Sequence, residues 1–324
     1  MSDTTEWEFP ERFRPKPEAL TFDLQSALAS MLMLRAEVPE DAFTAGVLGT
    51  ERVGNGVVIR ADGLVLTIGY LIAEAETIWL TTSNGTVLPG HALAYDYVTG
   101  FGLVLPLGQL SLPCLERTTT DDVSPGTEVI VISHGGPAHA LNARVLARRE
   151  FAGYWEYVLD EALFTAPAHP HWSGAALLNQ EGKLLGIGSL LVQEPIAGQR
   201  IDANMFVPVS LLEPILNDMT TIGRAKRPTR PWLGMYTTEL EGNLVVSGLA
   251  DGGPADRAGV TPGDIVIDVA GQRVGKLAEF FRTIWQQGPA GTEVPLTIAR
   301  GKSQLHVRVQ SRDRNDFLRK PQSH

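Results

Sequence analysis

The sequence is poor in cysteine and in aromatic residues: Cys114 is the single cysteine among 324 residues, and aromatics make up 7%. One cysteine excludes an intrachain disulfide and any metal site built from several cysteines. No stretch reaches the roughly 18 consecutive apolar residues that a membrane-spanning helix needs. The sequence also lacks a Gly-Lys-Ser/Thr phosphate loop and a His-Glu-x-x-His zinc motif, which removes two common classes of enzyme site.

Basic residues are scarce relative to acidic ones, with 27 Lys and Arg against 37 Asp and Glu, for a net charge of −10. The excess lies in residues 1–223, which hold 27 acids and 12 bases, whereas residues 224–230 hold four bases and no acid. An acidic body repels phosphate backbones, so no nucleic-acid partner is expected. The polar, proline-broken first 20 residues and the lone cysteine predict a cytoplasmic protein.

Turn-forming residues are plentiful, with 33 glycines and 21 prolines. Short apolar runs alternate with these turn signals, and Asp62-Gly63 and Asn84-Gly85 predict tight turns. The predicted strands are VGNGVVI, GLVLTIG, TIWLTT, GLVLPL, EVIVIS, KLLGIGSLL and NMFVPV. Strands without intervening helices predict an antiparallel barrel or sandwich. Because Gly54-Asn55-Gly56 leads into a strand, we interpret it as close backbone packing and not as a phosphate cradle.

Composition shifts divide the chain into five parts. They are an N-terminal arm at 1–21, a β-rich domain at 22–222, a basic linker at 223–230, a second domain at 231–313 and a polar tail at 314–324. Helical spacing of apolar residues predicts helices at 22–36, 208–219 and 277–287. The arm carries Trp7, Phe9 and Phe13, so both a floppy terminus and an arm docked on a neighbour are open.

Three segments of the β-rich domain resemble the trypsin-like barrel of the HtrA family. They are GNGVVIRADGLVLTIGYLI at 54–72, DYVTGFGLVL at 96–105 and AHPHWSGAALLNQEGKLLGI at 168–187. The second domain resembles the PDZ domain of that family through WLGM at 232–235 and GGPADRAGVTPGDIVIDVAGQRV at 252–274. The resemblance implies a mainly β fold, in which a trypsin-like double β-barrel precedes a small α+β PDZ barrel. It also implies a trimer built through the N-terminal region.

The family's catalytic pattern is only partly present in this chain. The resemblance places the nucleophile at Ser173, but its histidine falls on Tyr70 and its aspartate on Gly100. The oxyanion-hole glycine, two residues before the serine, falls on His171. Tyrosine titrates near pH ~10 and is a poor base at neutral pH. We therefore predict a pseudoprotease that acts as a protein-binding scaffold or adaptor, without a cofactor or metal.

Two alternatives stay open at this point. The first is an active serine endopeptidase that uses Ser173 with a non-standard base, for which His169 or His171 would be the candidates. The second is a metal-binding module formed by His169 and His171, with His134 or His139 from the SHGGPAHA loop. A metal needs three or more converging ligands, which a sequence cannot show.

The resemblance to PDZ domains implies a peptide groove. A peptide strand would add beside the strand that starts at Gly234, and backbone N–H groups of Leu233–Met235 would bind its terminal carboxylate. The predicted peptide-binding residues are Trp232, Leu233, Gly234 and Met235, with Phe281 and Ile284 on the helical wall. Trp232 and Met235 suggest an apolar pocket for the last side chain. The alternative is a structural PDZ domain that packs on the barrel and binds nothing.

Overall fold

The structure, a computed structural model, describes residues 7–196 and 198–319. It divides into two compact units. The first comprises Met1–Arg149, Glu161–Ala225 and Arg319–His324, and the second comprises Glu150–Asp160 and Lys226–Leu318. No helix in the described ranges is long and apolar enough to cross a membrane.

Six antiparallel strands close the first barrel of the first unit, in the order β1-β2-β3-β6-β5-β4. Its elements are α1 Leu24–Ala29, β1 Met31–Glu37, α2 Ala45–Leu48, β2 Glu51–Val58, β3 Val65–Ile68, β4 Thr77–Thr82, β5 Val87–Tyr95 and β6 Phe101–Pro106. Leu32, Leu34 and Leu66 are fully buried inside it. Gly63 and Gly85, in the two predicted turns, have the positive φ angles that such turns need.

A second closed barrel follows, with strand order β10-β11-β12-β9-β8-β7. Its elements are β7 Glu128–Ile132, β8 Leu141–Gly153, β9 Tyr157–Ala166, β10 Ala176–Leu178, β11 Leu184–Ile196, β12 Gln199–Pro208 and α3 Leu216–Ile222. Branched aliphatic residues and Phe206 fill its core. Phe9 and Phe13 of the N-terminal arm pack against the same core, so the described part of the arm is docked on its own chain.

The second unit contains one sheet in the order β13-β14-β15-β17-β18, with β16 paired to β15. Its elements are β13 Met235–Leu240, β14 Asn243–Leu249, α4 Pro254–Arg257, β15 Ile265–Val269, β16 Gln272–Arg273, α5 Leu277–Gln286, β17 Glu293–Arg300 and β18 Ser303–Gln310. The apolar side of α5 is buried against this sheet. Short 3-10 helices lie at Glu11–Phe13, Pro17–Ala19, Gly69–Leu71, Pro137–His139, Val209–Leu211 and Arg314–Phe317. The predicted mainly β fold is confirmed.

Two predicted helices are wrong in extent. The helix predicted at 22–36 is α1 followed by β1, because Ser30 ends the helix by donating its hydroxyl to the Ala27 carbonyl, and the next residues pair with β2 and β4. The helix predicted at 208–219 begins only at Leu216. Pro214 lacks the N–H that a continuous helix would use, so the chain cannot be helical across it.

The division into units differs from the predicted domains at one internal segment. Residues 150–160, which the sequence assigned to the barrel domain, form the tip of the β8–β9 hairpin and belong to the second unit. The reason is contact: Val158 is buried in the apolar cluster of the second unit, and Ala152 packs against that cluster.

Candidate functional site

Tyr70 and Ser173 meet where the family pattern would place a base and its nucleophile. Tyr70 stands in the 3-10 turn that follows β3, and Ser173 stands in the loop before β10. The Tyr70 hydroxyl lies 2.7 Å from Ser173 Oγ and donates to the Ser189 carbonyl at 2.8 Å. The two sequence-predicted positions are therefore brought into hydrogen-bond contact.

The direction of these hydrogen bonds decides what Tyr70 can do. Its single proton goes to the Ser189 carbonyl, so the Ser173 hydroxyl donates to the phenol oxygen. Burial raises the pKa of Tyr70 above its ordinary value of 10, and the bond to Ser173 opposes that rise. A neutral phenol is a weak acceptor with no capacity to take the serine proton at neutral pH. The pair has the geometry of a catalytic dyad without its basicity.

Gly100, which the resemblance places at the aspartate position, supplies no carboxylate. It lies in a left-handed conformation with φ +85°, and its carbonyl accepts a 2.7 Å hydrogen bond from Gly69 N–H, next to Tyr70. The acid of the same loop, Asp96, accepts hydrogen bonds from the backbone N–H and the hydroxyl of Thr99 at 2.9 and 2.7 Å. Asp96 therefore orders its own turn.

His171, which the resemblance places at the oxyanion-hole glycine, has its backbone N–H engaged inside the protein. That N–H donates to His169 Nδ1 at 3.0 Å. His169 is fully buried, and its Nε2 is 2.8 Å from the His139 carbonyl. Since Nδ1 accepts, the proton must sit on Nε2. A backbone donor that is already paired cannot stabilise an oxyanion without rearrangement.

Asn55 secures the loop that carries Ser173, a role that sequence reasoning missed. Its side-chain amide donates to the carbonyls of His171 and Ser173, each at 2.9 Å. Its Oδ1 accepts from His134 N–H at 2.9 Å. A Cβ on the neighbouring Gly54 would lie 2.8 Å from the Ser173 carbonyl. The prediction of close backbone packing at Gly54-Asn55-Gly56 agrees with this approach.

Three histidines contact Trp7 of the N-terminal arm, and a fourth, His134, stacks on His171. The Trp7 ring stacks on His139 at 4.4 Å between centroids and meets His169 and His171 edge-on at 5.7 and 4.9 Å. Its indole N–H donates to His171 Nε2 at 3.2 Å, and its carbonyl is 2.7 Å from His139 Nε2. Burial lowers the pKa of His134 and of His169 to about 4. These imidazoles are therefore neutral near pH 7.

The described residues contain no group of three or more His, Cys, Asp or Glu side chains placed to hold a metal ion. Nor, within the described ranges, does any ring nitrogen of His169 or His171 pair with Ser173. Both His169 nitrogens bond to the backbone, His171 Nε2 accepts from Trp7, and His171 Nδ1 is buried without a hydrogen-bond partner. The geometry therefore gives no support to the metal-module alternative or to a histidine rescue of the serine.

In the second unit, the predicted carboxylate-binding loop holds a carboxylate from the same chain. The backbone N–H groups of Gly234 and Met235 donate to Glu156 Oε1 at 2.7 and 3.0 Å. Leu233 N–H lies 3.1 Å from Oε2 and 3.2 Å from Oε1. Desolvation raises the pKa of Glu156 to about 7, opposed by these hydrogen bonds and by the charge of Arg314. No sequence signal pointed to Glu156.

The other predicted groove residues are buried. Trp232 is only 4% exposed and packs on Phe317 at 4.8 Å between centroids, so it is a packing residue and lines no open pocket. Phe281 and Ile284 are 0% and 1% exposed. Both belong to the apolar cluster that also contains Val158 of the hairpin tip. The expected open helical wall is thus closed in this structure.

The two units match known domain families. The sequence matches the trypsin-like peptidase domain over residues 54–187 and the PDZ domain over residues 231–310. The fold and the site together define a trypsin-like peptidase fold combined with one PDZ domain.

The sequence is also similar to proteins named as serine proteases. A probable periplasmic serine endoprotease DegP-like of Hahella chejuensis (strain KCTC 2396) is 23% identical over 273 residues, covering 80% of this chain and 57% of the relative. The putative serine protease HhoB of Synechocystis sp. (strain ATCC 27184 / PCC 6803 / Kazusa) is 24% identical over 285 residues, covering 79% and 65%. The chain thus spans less than two thirds of the length of either relative.

Solved structures share the fold. The HtrA-type protease AlgW with tripeptide matches with a TM-score of 0.53 and 18% identity, covering 92% of this chain and 97% of that one. The serine endoprotease from Yersinia pestis matches with a TM-score of 0.53 and 21% identity, covering 90% and 96%. The chain combines one trypsin-like peptidase domain with one PDZ domain, and its fold is similar to that of HtrA-type proteases.

Proposed function

We propose that this protein is a pseudoprotease: a non-cleaving HtrA-family scaffold that captures polypeptide segments through its PDZ domain. The observation that carries the proposal is the 2.7 Å hydrogen bond between Tyr70 and Ser173 Oγ. It puts a neutral phenol where an acyl-transfer enzyme requires a base. The engaged N–H of His171 and the absence of a carboxylate at Gly100 support the same reading. Loss of the base alone lowers rate by roughly 10⁴–10⁶.

The direct test compares casein cleavage and fluorophosphonate labelling in wild type and Ser173→Ala. Ser189→Ala is the matched control, because it alters another buried serine at this site while keeping Ser173. We expect no cleavage and no label in all three proteins. Labelling of wild type and Ser189→Ala, but not of Ser173→Ala, would show an active serine and refute the pseudoprotease.

The second candidate function is an active endopeptidase. It is favoured by the relatives, which are named as serine endoproteases, and by the retained Ser173. For this function Ser173 would need a base other than neutral Tyr70. A labelled Ser173 in the experiment above would establish it.

Assembly and location complete the proposal. The resemblance implies a trimer, and light scattering should then give three times the chain mass of 35.1 kDa. Because Phe9 and Phe13 pack on the chain's own barrel, a trimer contact would involve other residues or a rearranged arm.

A cytoplasmic location stays a prediction, while relatives are named periplasmic. Cell fractionation would distinguish the two compartments.

A further inference from the structure

The tip of the β8–β9 hairpin, Glu150–Asp160, stands where a bound peptide terminus would stand. Leu233, Gly234 and Met235 all direct backbone N–H groups at the Glu156 carboxylate, with N–O distances of 2.7 to 3.2 Å. A PDZ loop uses consecutive backbone donors of this kind to bind a terminal carboxylate. The donors expected to capture a partner are therefore already occupied.

The hairpin also makes a main-chain contact with the groove strand. Thr237 N–H, on β13, donates to the Tyr154 carbonyl at 3.1 Å, two residues before Glu156. The rings of Tyr154 and Tyr236 meet edge-on at 6.1 Å. Peptides that add to a sheet edge gain affinity through such main-chain bonds. The tip thus supplies both a carboxylate and a strand-edge hydrogen bond.

Side chains on both strands of the hairpin anchor the tip. Arg282 of α5 pairs with Glu150 at 2.5 Å and also with Asp160. The Arg314 guanidinium donates to the Trp155 carbonyl at 3.2 Å. Val158 is buried in the apolar cluster of this unit. Because the Arg282 pairs are partly exposed, solvent weakens them, and the half-buried Glu156 contact with three backbone N–H groups should dominate.

The backbone at Glu156 is unfavourable on its own. Its φ angle is +62°, in the left-handed region that favours glycine. A non-glycine residue persists there when its surroundings hold it. The three hydrogen bonds to the carboxylate provide that restraint, since they need a side chain that glycine lacks.

We propose that the hairpin tip Glu150–Asp160 is an intramolecular ligand of the PDZ groove, with the Glu156 side chain standing in for a terminal carboxylate. External partners with a free C-terminus then bind by displacing it. The inference rests on the proposed peptide capture by the PDZ domain. The apparent affinity for a partner is then the intrinsic affinity of the open groove multiplied by the fraction of molecules whose hairpin is undocked.

The first experiment measures amide hydrogen exchange in the full chain without peptide. Wild type is compared with Glu156→Ala and with Glu241→Ala. Glu241 is an exposed control in the same unit with a similar φ of +49°. We expect the Leu233–Met235 amides to exchange at least about tenfold faster in Glu156→Ala alone. Amides of β15 and β17 report whether the unit stays folded. Equal exchange at the loop in all three proteins would overturn the proposal.

The second experiment measures binding of a fluorescent peptide ending in a free valine carboxylate, with its amidated twin as control. We expect Glu156→Ala to bind the free peptide roughly ten- to a hundredfold tighter than wild type and Glu241→Ala do. Equal affinity in wild type and Glu156→Ala would refute displacement. If no protein binds peptide while exchange at the loop still depends on Glu156, hairpin docking stands and the proposed peptide capture fails.

Discussion

Ser173 and Tyr70 form a hydroxyl pair whose chemistry depends on where the Tyr70 proton lies. The 2.7 Å contact preserves the spacing of a nucleophile and its partner. Yet the partner donates its own proton to the Ser189 carbonyl and stays neutral. The hydroxyl pair therefore acts as a hydrogen-bonded cross-link between the loops that carry it.

Tyr70→Phe should test that structural role. Removing the hydroxyl eliminates two hydrogen bonds, and we expect about 1–2 kcal/mol lower free energy of unfolding, measured by denaturant titration. Casein cleavage should be absent before and after the change. A variant as stable as wild type would contradict the cross-link, and a loss of measurable cleavage would assign Tyr70 a catalytic role.

His169 should make the first unit sensitive to acid. Burial lowers its pKa from 6.5 to about 4, and its Nδ1 already accepts the His171 N–H. The unfolded chain thus binds a proton at a higher pH than the folded one does. The stability contribution is present above pH 6.5 and is lost as pH falls toward 4, by roughly 2–3 kcal/mol.

Denaturant titrations between pH 7 and 4 on wild type, His169→Gln and His91→Gln check this. His91 lies on β5 of the first barrel, whereas His169 lies in the loop between β9 and β10 of the second. His169→Gln should flatten the decline with pH, whereas His91→Gln should keep it. The same slope in all three proteins would disprove the assignment to His169.

At the scale of elements, the β8–β9 hairpin differs most from what sequence reasoning expected. Neither strand was predicted, because β8 mixes Arg144, Arg148 and Arg149 with apolar residues and matches no short apolar run. The arginines pair instead with Glu128, Glu161 and Glu194. The short apolar runs, in contrast, predicted most of the barrel strands correctly, because strands buried in a barrel are rich in consecutive apolar residues.

Docking of the hairpin should weaken as pH rises. Docking raises the pKa of Glu156 from 4.5 to about 7 through desolvation, and the backbone hydrogen bonds and the charge of Arg314 oppose that rise. Desolvation and, after it, the charge of Glu156 in turn raise the pKa of the neighbouring Tyr236. Protonated Glu156 therefore favours the docked state, fully below pH 4.5 and progressively less through pH 7. The affinity of wild type for a C-terminal peptide should then increase from pH 5 to pH 8, as the competing hairpin loosens.

We expect an increase of about three- to tenfold, because part of the Glu156 surface remains exposed and solvent moderates the shift. Fluorescence anisotropy at several pH values would measure it. Glu156→Gln should bind with little pH dependence, and Glu241→Gln should behave as wild type. An identical pH profile for wild type and Glu156→Gln would rule out Glu156 as the titrating group.

At the scale of the molecule, the second unit is discontinuous in sequence. Residues 150–160 are separated from residues 226–318 by most of β9 and by β10, β11 and β12 of the second barrel. A PDZ domain defined by its family match, 231–310, therefore omits the residues that fill its own carboxylate loop. Dividing the chain at the basic linker cannot detect that residues 150–160 belong to the second unit.

A fragment comprising residues 226–318 should consequently be less stable than the same unit in the full chain, because it lacks Val158 and Glu156. A synthetic peptide of residues 150–160 added to the fragment should restore protection of the Leu233–Met235 amides. The same peptide carrying Glu156→Ala should not restore it. Protection in the fragment without any peptide would show that the loop does not depend on the hairpin.

The sequence by itself determined the mainly β class, the trypsin-like and PDZ resemblance, and the positions Ser173, Tyr70, Gly100 and His171. These follow from local patterns, since apolar runs, turn glycines and motif spacing are properties of neighbouring residues. Tertiary structure alone decided that Trp7 packs against three histidines and that Glu156 fills the carboxylate loop. Glu156 and Gly234 are 78 residues apart, and contacts between distant segments depend on how the whole chain closes, which local pattern does not encode.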